Sequence, residues 1–165
     1  MNAQHPYAEI LGHRDPLEVL AETQESIPVT ARALGAEGLN HRYAPGKWTA
    51  AQVLAHLADS EIAFGFRVRQ ILSQPELGIQ TFDQDRWARH YGEMDGIAAA
   101  NTFQALRAWN VSFFRLLDKG DLEKTAVHPE RGAEKVDTVI RIMAGHTLHH
   151  LAQLASVLDV GGRQG

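Results

Sequence analysis

The sequence predicts an all-α protein, a four-helix bundle with two longer crossover connections. Four segments repeat apolar residues with the period of an amphipathic helix, and connections that contain glycine and proline separate them. No segment of useful length alternates apolar and polar residues as a half-buried strand would. The chain has 165 residues, so we expect one domain over residues 1–165 with its own hydrophobic core.

The first helix begins at a capping signal. Asp15 is the expected N-cap, Pro16 takes the first helical position, and Glu18 completes a capping box. The apolar pattern continues to Gly35. Pro28 lies inside this pattern, and because proline has no backbone N–H and its ring crowds the preceding turn, we expect a kink or a break there.

The second helix begins at a T-x-x-Q capping box, in which Thr49 is the N-cap and Gln52 is its partner. The helical pattern stops before Pro75. Its apolar stripe consists of Val53, Leu57, Phe64, Val68 and Ile71.

The third and fourth helices are predicted over residues 98–117 and 137–158. A shorter helix is expected near residues 84–91, inside the long connection that precedes the third helix. The expected inward residues are Phe103, Leu106, Phe113, Phe114 and Leu117 in the third helix and Val139, Met143, Leu154 and Val157 in the fourth.

Composition and charge argue against several classes of protein. The formal net charge of −4 and the lack of a basic run give no reason to expect binding to nucleic acid. The apolar runs are too short to cross a membrane, and the first residues do not resemble a signal peptide. The chain has no cysteine, which excludes thiolate ligands and fits a reducing compartment. We therefore expect a cytoplasmic protein that acts on a small-molecule substrate.

Two of the nine histidines, His146 and His150, lie four residues apart in the fourth helix. At about 100° per residue, this spacing puts both imidazoles on one face, close enough to share an ion. His149 lies three residues after His146 but points away from the apolar stripe. We therefore expect His149 to be a surface residue or a residue that supports the metal ligands from outside.

His56 is the third candidate ligand. It lies at the edge of the apolar stripe of the second helix, from which its ring can reach the interior. Facing helices of a bundle build metal sites from inward side chains, and three protein ligands leave a position open for water or substrate. The alternative is that His56, His146 and His150 are hydrogen-bonded histidines of an ordinary bundle.

Glu61 falls within the same apolar stripe. A buried carboxylate must be paired or must bind a metal to tolerate its loss of water. We favour a structural ion pair with Arg107 or Arg67, while the alternative is that Glu61 orients a ligand histidine or a bound water. Asp59, one turn from His56, is expected to be a solvated charge.

Three segments resemble landmarks of the DinB/YfiT-like superfamily. The tryptophan-led entry to the family's first ligand helix resembles residues 47–61, KWTAAQVLAHLADSE. The family's H-x-x-x-H-x-x-Q run resembles residues 144–154, AGHTLHHLAQL. The segment FDQDRWARHY, before the third helix, is similar to the family's connecting segment. The resemblance covers residues 17–158 in order and spacing.

This resemblance implies a DinB-type bundle, often dimeric, with a nickel, zinc or similar divalent ion on His56, His146 and His150. Relatives include S-transferases and isomerases that use low-molecular-weight thiols, so the resemblance also implies a thiol as a cosubstrate.

Two functions are compatible with these observations. The first is a metal-dependent enzyme in which an ion lowers the pKa of bound water or a bound thiol, which gives a hydrolase or a thiol S-transferase. The second is a non-catalytic, metal-stabilised bundle or a stress-associated binding protein. The sequence assigns no catalytic residue, and three imidazoles suit zinc, nickel, copper and iron alike.

Overall fold

The computed structural model describes the backbone of residues 5–161 and the side chains of residues 5–159. The long helices of this part of the chain are α2 (Pro16–Asn40), α3 (Ala50–Ser73), α5 (Gly96–Phe114) and α7 (Val136–Gly161). The shorter elements are α1 (Ala8–Leu11), α4 (Gln84–Trp87), α6 (Lys119–Glu123), β1 (Thr125–His128) and β2 (Gly132–Lys135), with 3₁₀ turns at Pro75–Leu77 and Ala88–Glu93. The predicted four-helix bundle is confirmed.

Among consecutive long helices, α3 and α5 pack closely against each other, whereas α2 and α3 make only a small contact. α2 and α3 lie on one diagonal, and each of them packs against both α5 and α7. α3 therefore lies beside α7, although about 60 residues of chain separate the end of one from the start of the other. None of the described helices is long and apolar enough to cross a lipid bilayer.

α2 begins at the predicted cap. The Asp15 carboxylate accepts hydrogen bonds from the backbone N–H groups of Leu17 and Glu18, at 2.8 and 3.0 Å. The Glu18 side chain makes no return bond to Asp15, so only half of the predicted capping box forms.

The helix does not break at Pro28, where the sequence predicts a kink or a break. Residues around Pro28 keep helical backbone angles, and the residue that departs from them is Gly35, with φ 61° and ψ −176°. Glycine adopts this positive φ at little cost because it has no Cβ. Pro28 is buried beside Ile27 and Ala31, and we attribute the intact helix to packing that outweighs the roughly 3 kcal/mol cost of an interior proline.

α3 has the predicted capping box, since Thr49 Oγ1 accepts from the Gln52 backbone and Gln52 Oε1 accepts from the Thr49 backbone. Further along the helix, Gly65 allows α5 to approach closely. A Cβ atom at this position would lie 2.5 Å from Oδ1 of Asn110. Any larger residue would therefore displace the Asn110 side chain, which donates hydrogen bonds to Glu61.

The connection before α7 contains an unpredicted antiparallel hairpin, β1–β2, which pairs Thr125 with Lys135 and His128 with Gly132. Burial alternates along β1, where Ala126 and His128 face inward. The strands have four residues each, and their buried positions include polar side chains rather than a row of large apolar ones. Such short, polar strands give no recognisable alternation in the sequence.

Candidate metal centre

His56 of α3 and the α7 residues His146 and His150 converge inside the bundle. His146 Nε2 lies 2.9 Å from His56 Nε2 and 3.1 Å from His150 Nε2. One ring nitrogen from each residue lies within 4.8 Å of the others. All three side chains are buried, with exposed fractions of 2 to 7%. The structure therefore brings together the three histidines nominated from the sequence.

This arrangement of nitrogens has the chemistry of a metal site. Imidazole nitrogens bound to a tetrahedral zinc ion at 2.0–2.1 Å lie about 3.3 Å from one another. The two closest separations here, 2.9 and 3.1 Å, are near that value. Two ring nitrogens that both present lone pairs repel at such distances, so a proton or a cation must lie between them. A divalent ion satisfies all three nitrogens at once.

Gln153 orients the ring of His150. Gln153 Nε2 lies 3.0 Å from His149 Nε2, and Gln153 Oε1 lies 2.7 Å from His150 Nδ1. Because an amide nitrogen only donates, His149 Nε2 is the acceptor, and Oε1 then accepts the N–H of His150 Nδ1. This bond leaves the lone pair on His150 Nε2, facing His146. His149 itself is half-buried and supports the group from outside.

Burial keeps the three imidazoles neutral. Loss of water lowers the pKa of His56 to about 3, with repulsion from His150 adding to the effect. Burial likewise lowers the pKa of His150 to about 4, although the hydrogen bond that His150 donates to Gln153 acts in the opposite direction and raises it. The pKa of His146 is also far below its usual value, through burial first and then the neighbouring histidines. Neutral imidazole is the form that binds metals, so these nitrogens are available at neutral pH.

His56 has a different environment from the α7 pair. The Trp48 ring packs against it with centroids 5.1 Å apart, and Ser60 Oγ lies 3.5 Å from His56 Nε2. His56 Nδ1 is buried and has no hydrogen-bond partner among the described residues. His56 is therefore oriented by packing, whereas His150 is oriented by a hydrogen bond.

Two clefts lead to the histidines. The hairpin cleft, a cavity of about 230 Å³ between α3, the N-terminal segment and the β-hairpin, reaches His56 and His146. The tryptophan cleft, about 330 Å³, reaches His146 and His150 beside Trp48. Tyr7 borders both clefts, and its ring centroid lies 5.5 Å from that of His146. A small molecule can therefore approach the histidines from two sides.

Glu61 pairs with Arg107, as the structural explanation predicts. Arg107 Nε and Nη2 both donate to Glu61 Oε1, at 2.9 and 2.5 Å, and Asn110 Nδ2 donates to Oε2 at 3.1 Å. The alternative prediction, an ion pair between Glu61 and Arg67, is wrong. Within residues 5–159, Glu61 makes no hydrogen bond to a histidine, so the idea that it orients a ligand directly has no support in the structure.

Arg107 extends this ion pair into a network that joins all the long helices. Its Nη1 donates to Thr23 Oγ1 and to the Leu20 carbonyl of α2, at 2.7 and 3.1 Å. Its Nη2 donates to Thr147 Oγ1 of α7 at 2.8 Å. Thr147 follows His146 in the chain, so the Arg107 network lies directly beside the histidine group.

Asp59 is not the solvated charge that the sequence suggested. It is half-buried and accepts a hydrogen bond from the Tyr91 hydroxyl at 2.7 Å. Burial and the Asp59 carboxylate together raise the pKa of Tyr91. The long connection before α5 thus returns to the surface of α3, a contact between distant residues that helical periodicity does not reveal.

Sequence reasoning assigned no role to Tyr7, Arg67 or Gln153 at this site. Gln153 had a detectable signal, because it follows His150 by three residues and so lies on the same face one turn later. Tyr7 and Arg67 had none, since their approach to the histidines depends on how separate elements pack.

A helical bundle in which two neighbouring helices contribute three converging histidines defines a recognisable class of fold and site. The sequence profile of the DinB superfamily matches residues 20–154. The chain belongs to the DinB superfamily.

Similar proteins carry names that refer to metal-dependent hydrolysis. A protein of Oceanobacillus iheyensis is 34% identical over 125 residues, which cover 75% of this chain and 73% of that protein. A protein of Bacillus cereus is 25% identical over 142 residues, which cover 86% of this chain and 82% of that protein. Each is named "putative metal-dependent hydrolase". These names and the three-histidine group together indicate a metal ion.

A solved structure has the same fold. YfiT from Bacillus subtilis, described as a probable metal-dependent hydrolase with an unusual four-helix bundle topology, superposes with a TM-score of 0.82 at 21% identity. The match covers 89% of this chain and 86% of that chain. The DinB/YfiT-like architecture expected from the sequence is therefore confirmed.

Proposed function

We propose that this protein is a metal-dependent hydrolase whose zinc or nickel ion is held by His56, His146 and His150. The observation that carries the proposal is the convergence of three buried, neutral Nε2 atoms at the junction of two open clefts. The names of the similar proteins support hydrolysis as the reaction.

When bound, a divalent ion of this kind is a Lewis acid that lowers the pKa of a water molecule to about 7. The three histidines contribute no negative charge, so they leave the full charge of the ion available for this effect. They would also leave a position open for water or substrate, because three protein ligands do not fill the coordination of such an ion.

Two further side chains, Ser60 and Tyr7, line the hairpin cleft beside the histidines. Ser60 donates its hydroxyl proton to the His56 carbonyl at 2.8 Å, so its oxygen, which faces the hairpin cleft, is free to accept a hydrogen bond from water. Burial raises the pKa of Tyr7, which keeps its phenol protonated and able to donate to a substrate oxygen. We propose that Ser60 orients a water molecule and that Tyr7 orients the substrate.

A thiol S-transferase would use the same three histidines, with a low-molecular-weight thiol in place of water. We place hydrolysis first because the names of the similar proteins refer to it. The two clefts favour either enzyme over a purely structural module, in which a closed site would be expected.

The decisive test compares His150→Ala with His149→Ala. After dialysis, elemental analysis should find one zinc or nickel ion per chain in the wild type and in His149→Ala, and essentially none in His150→Ala. Hydrolysis of a panel of model esters and amides should disappear with a chelator and return when the metal is restored. Equal metal retention in both variants would contradict the ligand assignment, while metal-independent turnover would contradict the mechanism.

A further inference from the structure

The hairpin cleft has a cationic end away from the three histidines. Arg67 lines this cleft, although its side chain is only 6% exposed. Its Nε is buried without a hydrogen-bond partner among the described residues. No ion pair within residues 5–159 includes it. A buried N–H group without an acceptor is costly, so Arg67 Nε is suited to an acceptor supplied from outside the chain.

Two hairpin residues flank Arg67 in the cleft, His128 and Arg131. His128 Nδ1 accepts the backbone N–H groups of Glu130 and Arg131, at 3.2 and 3.3 Å. The proton of the neutral ring is therefore on Nε2, which makes that nitrogen a donor. Arg131 Nε is paired with Glu134, whereas the terminal nitrogens of Arg131 appear in no hydrogen bond of the described residues. This end of the cleft is thus rich in donors.

The charges at this end favour a single negative charge on the ligand. Glu134 is fully buried, pairs with Arg131 and also attracts Arg67 electrostatically, so Arg67, Arg131 and Glu134 together keep one net positive charge. Glu130 also borders the cleft, but it is exposed on the hairpin turn, where water screens its charge. A monoanion balances this net charge, while a dianion would leave excess negative charge in a buried site.

Phe64 connects the two ends of the cleft. Its ring centroid lies 5.7 Å from that of His146 and 5.5 Å from Cζ of Arg67. A molecule that reaches from the histidines to Arg67 therefore passes over an apolar ring. The cleft combines a metal-binding end, an apolar middle and a cationic end.

We propose that Arg67 binds a carboxylate group of the substrate, with His128 Nε2 and Arg131 as additional donors. A guanidinium holds a carboxylate through two parallel hydrogen bonds, which gives both affinity and orientation. The substrate is then a carboxylic acid with an apolar middle and a hydrolysable bond at the histidines. The position of that bond rests on the proposed function, but the carboxylate site itself needs neither the metal nor turnover.

The test measures equilibrium binding rather than activity. Calorimetric titration with 3-phenylpropionate and with the uncharged 3-phenylpropionamide compares the wild type with Arg67→Met, Arg67→Lys and Arg115→Gln. Arg115 is exposed, so its variant is a control for the loss of one positive charge. The wild type and Arg115→Gln should prefer the acid by about ten-fold or more. Arg67→Met should lose this preference, and Arg67→Lys should keep part of it because it retains the charge.

Several outcomes would overturn the carboxylate site. An acid preference that survives Arg67→Met would mean that the acid binds elsewhere, for example at the metal. Equal weakening of acid and amide would mean that Arg67 only supports the cleft wall. Tighter binding of 2-phenylethyl phosphate than of the acid would contradict a monoanion site. If Arg67→Met does not fold, as judged by circular dichroism, an Arg67→Lys variant with unchanged affinity for both probes would also refute the proposal.

Failure of this proposal is distinguishable from failure of the proposed function. If the acid preference depends on Arg67 but no metal-dependent hydrolysis is found, the carboxylate site stands and the hydrolase assignment falls. If hydrolysis depends on the metal but acid and amide bind equally well, the hydrolase assignment stands and the carboxylate site falls.

Discussion

Two buried polar groups lie side by side in this bundle, and they differ in how completely the protein satisfies them. The Arg107 network pairs its nitrogen donors with acceptors from α2, α3 and α7. The histidine group instead directs three ring nitrogens toward one another. Burying polar groups is tolerated when each has a partner, so the first group is complete in itself and the second requires an ion or a proton.

This difference separates structural groups from candidate functional ones. Arg107 and Arg67 are both buried arginines, and the sequence offered them as alternative partners for Glu61. Arg107 has a carboxylate, two hydroxyls and a carbonyl as acceptors, whereas Arg67 Nε has no acceptor among the described residues. Unmet hydrogen-bonding capacity beside a cleft, rather than burial alone, identifies the groups that are available to bind a ligand.

The largest effect is expected from Arg107→Met. This change leaves the Glu61 carboxylate buried without its cation, and breaking a buried ion pair costs about 3–5 kcal/mol. Urea unfolding at pH 7 measures the loss in the free energy of unfolding. Arg115→Met removes an exposed arginine and should change this free energy by less than about 0.5 kcal/mol. A loss below about 1 kcal/mol in Arg107→Met would show that the network is not a structural unit.

The histidine group should make the metal-free protein sensitive to acid. The pKa of a histidine is about 6.5 in the unfolded chain, but it is lowered to about 3 for His56 and about 4 for His150 in the folded protein. At pH values between the folded and unfolded pKa values, the unfolded state binds more protons than the folded state. The contribution of these histidines to the free energy of unfolding is therefore fully present above pH 6.5 and is lost as the pH falls toward the folded pKa values. Each histidine should remove roughly 1.4 kcal/mol per pH unit from the free energy of unfolding.

Urea unfolding of the chelator-treated protein at pH 7, 6 and 5 measures this acid sensitivity. His56→Leu removes one of the titrating groups. Between pH 6 and pH 5, the free energy of unfolding of this variant should therefore fall by about 1.4 kcal/mol less than that of the wild type. Identical slopes for His56→Leu and the wild type would mean that His56 does not stay neutral in the folded protein.

Gln153 variants separate the orientation of a ligand ring from the identity of the ligand. Gln153→Ala removes the acceptor for His150 Nδ1, and loss of such a supporting hydrogen bond weakens metal binding by about 10–100-fold. Gln153→Glu keeps an acceptor at the same place, so it should retain near wild-type affinity. Competition with a chromophoric zinc chelator measures both affinities. If Gln153→Ala binds zinc as tightly as the wild type, packing alone orients His150.

Most of the helices and part of the site were predictable because their signals are local. The Thr49–Gln52 capping box and the apolar periodicities depend on residues a few positions apart, as does the shared face of His146 and His150. The sequence did not predict the intact helix at Pro28 or the β-hairpin, because neither has a local signal. Packing compensated for the cost of the proline, and the four-residue strands were too short to show a pattern.

Sequence alone determined the long amphipathic helices and the pairing of two histidines on one helical face, since both follow from the geometry of a single helix. Tertiary structure decided that α3 lies beside α7, that Arg107 rather than Arg67 pairs with Glu61, and that the hairpin brings His128 to the cleft. These outcomes depend on which helix faces which around the bundle. An apolar stripe specifies that a face is buried, but it does not specify its neighbour.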